Sequence, residues 1–260
     1  MSAALGRLMT FRVVLPQRRE DPKNKIPVIY FLHGRGRSEA TLFEDASTRS
    51  TMLSSGVAIV LPRGDDGWYV NSPAFEQQRY ADYLDEVIEI AEREFPLRND
   101  AHGRAIGGWS MGGYGAAYTA ARRPNDFAAL GILIGILDYP RDDIEPADQN
   151  YPVQPTFGAD RNLWARLNPR LLLPRLKGMP IFVGYARETP ERTMNERFIT
   201  EAESLGLDIH SLRMPGEHVF PIVRQLLPPA LDFLEARLLE SQAINAEGPP
   251  LIAPPVTGER

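Results

Sequence analysis

A chain of 260 residues, 43% apolar and 24% charged, has the make-up of a globular protein with room for one large α/β core or two small ones. It contains no cysteine, which excludes disulfides, thiolate metal ligands and cysteine nucleophiles. Its formal net charge of -5 argues against a phosphate-binding surface, and no apolar run approaches the roughly 20 residues that span a bilayer, so neither nucleic acid nor a membrane is an expected partner.

In chain order, Met1–Arg7 has no basic segment leading into an apolar run, so a cytoplasmic location is expected. Leu8–Leu15 reads as an antiparallel edge strand. Short apolar runs bounded by Gly, Pro or charge follow at Ile26–Leu32, Val57–Leu61, Arg104–Gly108, Ala128–Ile134 and Pro180–Tyr185, the pattern of strands covered on both faces. Between them, Tyr80, Leu84, Val87, Ile88, Ala91 and Phe95 recur at three- and four-residue steps and predict a helix over 79–95, closed by Pro96. Further helices are expected over 112–123, rich in Gly and Ala, over 192–205 with Gly206 as C-cap, and over 221–240, entered through Pro221. Strands alternating with helices predict a mostly parallel sheet with helices on both faces. Residues 138–170 carry Pro140, Pro146, Pro152, Pro155 and Pro169 with little periodicity, and read as a lid-like insertion over the carboxyl ends of the strands. The expected organisation is one domain, 1–241, followed by a disordered tail, 242–260, rich in Gln, Asn, Gly and Pro.

Gly108-Trp109-Ser110-Met111-Gly112-Gly113 matches G-x-S-x-G between an apolar strand and a small-residue helix, the context of a nucleophile elbow. Such a turn strains the serine backbone, and glycines two positions either side remove side chains that would clash. In the chain order that goes with this elbow, the serine is followed by an acid and then a histidine. The histidines are His33, His102, His210 and His218, and they offer no metal-ligand spacing, so no metal and no cofactor is expected. His33 and His102 precede the serine; His33 is expected to be a buried, hydrogen-bonded residue and His102 an exposed one. His210 lies in the alternating strand Asp208–Leu212, which leaves His218, in a loop before the last helix, as the base. The acid belongs in the loop after the strand that ends at Tyr185, where Glu188 and Glu191 are the first carboxylates. Glu188 is the expected acid. Glu191 stays open as that acid or as a first-turn residue of the next helix, and a dyad without an acid also stays open. His33-Gly34-Arg35-Gly36-Arg37 follows a strand, and its glycines let the backbone approach a ligand, so the Arg35 and Met111 amides are the candidate oxyanion donors. Trp68 and Tyr69, beside Gly67, and Trp109, beside the serine, are candidate substrate contacts, with core packing the alternative for the first two.

These pieces resemble the putative-esterase family of α/β-hydrolases, which includes S-formylglutathione hydrolases, feruloyl and acetyl-xylan esterases, enterochelin-esterase-like proteins and mycolyltransferases. The resemblance rests on Tyr30–Gly34, Val60–Gly64, Trp68-Tyr69, Tyr83–Val87, Gly108–Ala116, Asn195 to Phe198 and Gly216-Glu217-His218, and covers roughly residues 8–240. It implies Ser110 as nucleophile, His218 as base, and Met111 and Arg35 as oxyanion donors. It places the acid at or beside Thr189, next to Glu188. The implied activity is hydrolysis of a small-molecule carboxylic ester through an acyl-enzyme. Transfer to an alcohol or sugar acceptor and a non-catalytic binding role on the same scaffold are the alternatives. Substrate identity and oligomeric state are not legible.

Overall fold

Seven strands form one sheet: β1 (Phe11–Val14), β2 (Val28–Leu32), β3 (Ala58–Pro62), β4 (Arg104–Trp109), β5 (Ala129–Leu133), β6 (Ile181–Ala186) and β7 (Ile209–Met214), in the order β1-β3-β2-β4-β5-β6-β7. The structure is a computed structural model that describes residues 1–17, 24–141 and 152–247, with 241–247 described by backbone alone. β1 pairs antiparallel with β3, and every other neighbouring pair is parallel. β2, β3, β5 and β6 are buried along their whole length, which is why they read as continuous apolar runs rather than alternating ones. β7, the edge strand, is mostly exposed, with only its end residues Ile209 and Met214 partly buried.

The helices are α1 (Thr41–Glu44), α2 (Ala46–Ser54), α3 (Tyr80–Glu94), α4 (Met111–Arg122), α5 (Arg161–Trp164), α6 (Arg192–Ser204) and α7 (Phe220–Glu247). One face of the sheet is covered by α3, α4, α6 and residues 152–170, through Leu84, Tyr114, Phe157 and Phe198. The other is covered by α1, α2 and α7, through Leu42, Met52, Leu226 and Leu234. This is the α/β-hydrolase architecture expected. The sequence carries no helix signal over 41–54, for a physical reason: α2 buries only Thr48 and Met52 and shows no apolar stripe. Its start is set instead by Asp45, whose carboxylate accepts the Thr48 N–H at 3.1 Å. α7 runs to Glu247, so residues 242–247, expected in the disordered tail, are helical; no Gly or Pro interrupts them before Gly248. Residues 248–260, and 142–151 of the expected insertion, lie outside the described residues. Among the described residues no helix is long and apolar enough to cross a membrane.

Strand order reverses between β2 and β4: β3 lies on one side of β2, and β4 with its successors on the other. Loops leaving the carboxyl ends of two such strands diverge and open a crevice between them. Gly34 and Ser110 stand at those two ends. α4 approaches the strand ends so closely that a Cβ on Gly112 would lie 2.1 Å from the Leu32 carbonyl oxygen.

Candidate active site

Ser110 sits between β4 and α4 at φ 56 and ψ -121, a backbone conformation that non-glycine residues rarely adopt. Its N–H donates to the Leu133 carbonyl at 2.9 Å, which ties the elbow to the neighbouring strand. Ser110 Oγ lies 2.8 Å from His218 Nε2. His218 enters from the loop between β7 and α7, and its Nδ1 lies 2.5 Å from Glu191 Oε1. Glu191 is wholly buried at the start of α6, where the positive end of the helix favours a carboxylate. With that carboxylate as acceptor, the proton sits on Nδ1 and the Nε2 lone pair faces the serine hydroxyl.

The carboxylate that meets the imidazole is therefore Glu191, where Glu188 was expected. The Glu188 carboxylate accepts the Gly216 N–H, while the Glu188 N–H donates to the Gly216 carbonyl at 2.9 Å. Glu188 thus braces the loop that carries His218, and its side chain is 52% exposed rather than directed at the imidazole. What places Glu191 is Asn195, one helical turn on and itself buried. Its side-chain amide donates to the Gly135 carbonyl at 2.8 Å and to the Glu191 carbonyl at 2.9 Å, linking the start of α6 to the chain leaving β5. The sequence signal was there in outline: a glutamate four residues before an asparagine at a helix start.

Gly34 packs directly against Ser110; a Cβ there would stand 2.9 Å from the Trp109 ring and 3.2 Å from Ser110 Cβ. Arg35 follows it, and Met111 is the first residue of α4. Neither the Arg35 nor the Met111 amide meets an acceptor among the described residues. His33 is 3% exposed and bridges two loops: the Gly64 N–H donates to its Nε2 at 2.8 Å, and its Nδ1 lies 2.8 Å from the Gly34 carbonyl oxygen. Burial holds its pKa below the ordinary imidazole value, so it is a neutral bridge, as expected of a buried residue. His102 is exposed and His210, on β7, is 3.0 Å from Asp208; neither approaches the serine.

The three aromatic candidates divide. Trp68, 5% exposed, lines a cleft of about 290 Å³ with Arg35, Gln78, Gln154 and Thr156, and stacks on Tyr139 at 4.9 Å between ring centroids. Tyr69 is a correction: it has no exposed surface to offer a substrate, and its hydroxyl is engaged by the His33 backbone. Trp109 is also buried, packed behind the elbow against Gly34 and Phe220, 5.6 Å away between ring centroids, so it too departs from the expected substrate contact. Among the described residues no group of three or more His, Asp or Glu is placed to hold a metal ion.

A G-x-S-x-G elbow at the switch point of this sheet, with a histidine on the serine and a carboxylate on the histidine, defines the serine hydrolases of the α/β-hydrolase fold. Residues 2–201 match the model of the family described as Putative esterase. The chain belongs to that family, and so to the carboxylic ester hydrolases. It is 26% identical over 205 residues to S-formylglutathione hydrolase of Paracoccus denitrificans (strain Pd 1222), covering 69% of this chain and 68% of that one. It is 26% identical over 144 residues to an acetyl esterase of Caldicellulosiruptor saccharolyticus, covering 52% of this chain and about half, 54%, of the relative. The fold is similar to that of a fluorophosphonate-binding serine hydrolase of Staphylococcus aureus, at TM-score 0.77 and 19% identity over 90% of this chain and 95% of that one.

Proposed function

We propose that this chain hydrolyses small-molecule carboxylic esters with Ser110, His218 and Glu191 as a catalytic triad. The observation that carries the reading is the continuous line from Ser110 Oγ to His218 Nε2, 2.8 Å, and from His218 Nδ1 to Glu191 Oε1, 2.5 Å. Neutral His218 takes the hydroxyl proton as Ser110 attacks the ester carbonyl. The Arg35 and Met111 amides receive the oxyanion, at the amino end of α4 where the helix dipole favours negative charge. Glu191 keeps the imidazole in the productive tautomer and stabilises it once protonated. His218 then gives its proton to the leaving alcohol, and the same imidazole activates the water that cleaves the acyl-enzyme. The cleft lined by Arg35 and Trp68, which borders the site through Arg35 and not through Ser110 or His218 themselves, is the proposed space for the substrate's larger group.

Turnover of a p-nitrophenyl ester series, acetate to octanoate, by wild type and Ser110→Ala tests this. Wild type is expected to turn over at least one ester and to be labelled by a fluorophosphonate. Ser110→Ala is expected to lose more than about a thousandfold in kcat and all labelling. Equal turnover by the two proteins would overturn the proposal.

A further inference from the structure

The two amides of the proposed oxyanion hole belong to segments far apart in sequence, so something must hold the loop after β2 in register with the start of α4. We propose that Tyr69 is a positioning residue of that hole, its hydroxyl fixing the His33–Arg35 backbone so that the Arg35 amide points at the oxyanion beside Ser110. The proposal rests on the esterase reading above.

β2 ends at Leu32, and His33 is the first residue past it. The Tyr69 hydroxyl accepts the His33 N–H at 3.1 Å and donates to the His33 carbonyl oxygen at 3.2 Å. One hydroxyl thus engages both main-chain groups of that residue. The His33 imidazole adds a third tie, through its Nδ1 to the Gly34 carbonyl. The loop is held at three main-chain atoms immediately before Arg35.

The ring that carries the hydroxyl is itself fixed. A Cβ on Gly64 would lie 2.3 Å from Tyr69 Cζ, and one on Gly115 would lie 2.4 Å from Tyr69 Cδ2. Tyr69 is therefore wedged between the loop after β3 and α4, the helix whose first amide is the second oxyanion donor. Trp68 and Tyr69 stand at φ 56 and φ 57, which bulky residues adopt only where their surroundings over-determine them. Burial raises the phenol pKa well above its ordinary value, so the hydroxyl stays neutral and can donate and accept at once.

Tyr69→Phe keeps the ring and removes the hydroxyl. Three quantities are read against wild type: kcat, KM for a p-nitrophenyl ester, and the inhibition constant of a trifluoromethyl ketone, whose adduct with Ser110 places an oxyanion in the hole. The expected result is a fall of about tenfold in kcat, with KM within about twofold and ketone binding weakened by the same factor as kcat. A side chain that only supports the fold would lower the melting temperature and leave both kcat and ketone affinity of the folded fraction untouched. A kcat and ketone affinity within about twofold of wild type overturns the inference, as does a raised KM at unchanged kcat, the mark of direct substrate contact. Should the variant not fold, amide exchange in the wild type decides. The His33 N–H is expected to exchange as slowly as the β2 amides, and free exchange overturns the proposal. An active wild type with an equally active Tyr69→Phe removes only Tyr69's role. A wild type that neither turns over esters nor takes the fluorophosphonate removes the esterase reading and this inference with it.

Discussion

Glu191 Oε1 meets His218 Nδ1 at 2.5 Å across 27 residues of sequence, while Glu188, three residues earlier, holds the loop on which His218 rides. The two carboxylates differ in what they meet: one the imidazole, the other the backbone of the loop that carries it. Glu191→Gln is expected to lower kcat by about 10³–10⁴-fold, because the amide no longer selects the productive tautomer or stabilises the imidazolium. Glu188→Gln is expected to cost less than about tenfold, because an amide oxygen can still accept the Gly216 N–H. Steady-state kinetics of the two variants on one ester decide; equal losses would return the acid to an open question.

Two glycines separate space from conformation. Gly112→Ala would drive a Cβ to 2.1 Å from the Leu32 carbonyl oxygen, backbone against backbone, with no flexible side chain to yield. A loss of more than about 3 kcal/mol, or failure to fold, is expected. Gly206→Ala, at φ 67 after α6 with nothing within 4 Å of the new Cβ, carries only the left-handed penalty, about 1 kcal/mol. Urea unfolding of the two variants is the measurement.

His33 makes stability depend on pH in a definite direction. Burial holds its folded pKa below 6.5, the ordinary value, so the unfolded chain takes up the proton first. Its contribution is complete above about pH 6.5 and declines as the pH falls from there toward the folded value. His33→Gln removes that titration along with the bridge. The gap in unfolding free energy between wild type and His33→Gln is expected to be largest at pH 8 and to narrow toward pH 5. A gap that widens over that range would contradict the neutral bridge.

Asp138 has a wholly buried carboxylate just past β5. It accepts from Asn168 at 3.0 Å, Arg170 at 2.9 Å, and Arg141 and Arg197 at 3.2 Å each, joining the end of the 138–170 region to α6. Asp138→Ala is expected to cost about 1–3 kcal/mol, because the buried Asn168 amide loses its carboxylate acceptor while the partly exposed arginines recover solvation. Burial alone would raise the Asp138 pKa, but the hydrogen bonds from Arg170 and Asn168 outweigh it and hold it below 3.8. The contribution is therefore present above that range and lost as the pH falls through the lower, folded value. Denaturant unfolding should show a difference between wild type and variant that is steady from pH 7 to about pH 4.5 and shrinks in stronger acid.

Much of the fold was legible because its signals are local. The strands β2, β3, β5 and β6 are covered on both faces and read as unbroken apolar runs, and α3 repeats its apolar residues every three or four positions. α2 was not legible, since a capping aspartate and two buried residues make no periodic signature. At the site, Ser110 and His218 followed from a motif and from chain order. The choice between Glu188 and Glu191 did not, because both lie in one short loop and the direction of each side chain depends on where α6 begins. Trp109 and Tyr69 read as pocket aromatics from their neighbours in sequence, yet burial depends on what packs over them: Phe220 and Gly34 for one, Gly64 and Gly115 for the other.

The sequence by itself determined the succession of strands and of the longer helices, the strained serine between two glycines and the histidine that follows the last strand, because periodicity, turn chemistry and order along the chain are properties of neighbouring residues. Tertiary structure alone decided that Glu191 meets His218, that Glu188 braces its loop, and that Tyr69 faces the His33 backbone instead of a pocket. Those relationships join residues 27, 28 and 36 positions apart, and such contacts exist only once the sheet has brought the strand ends together.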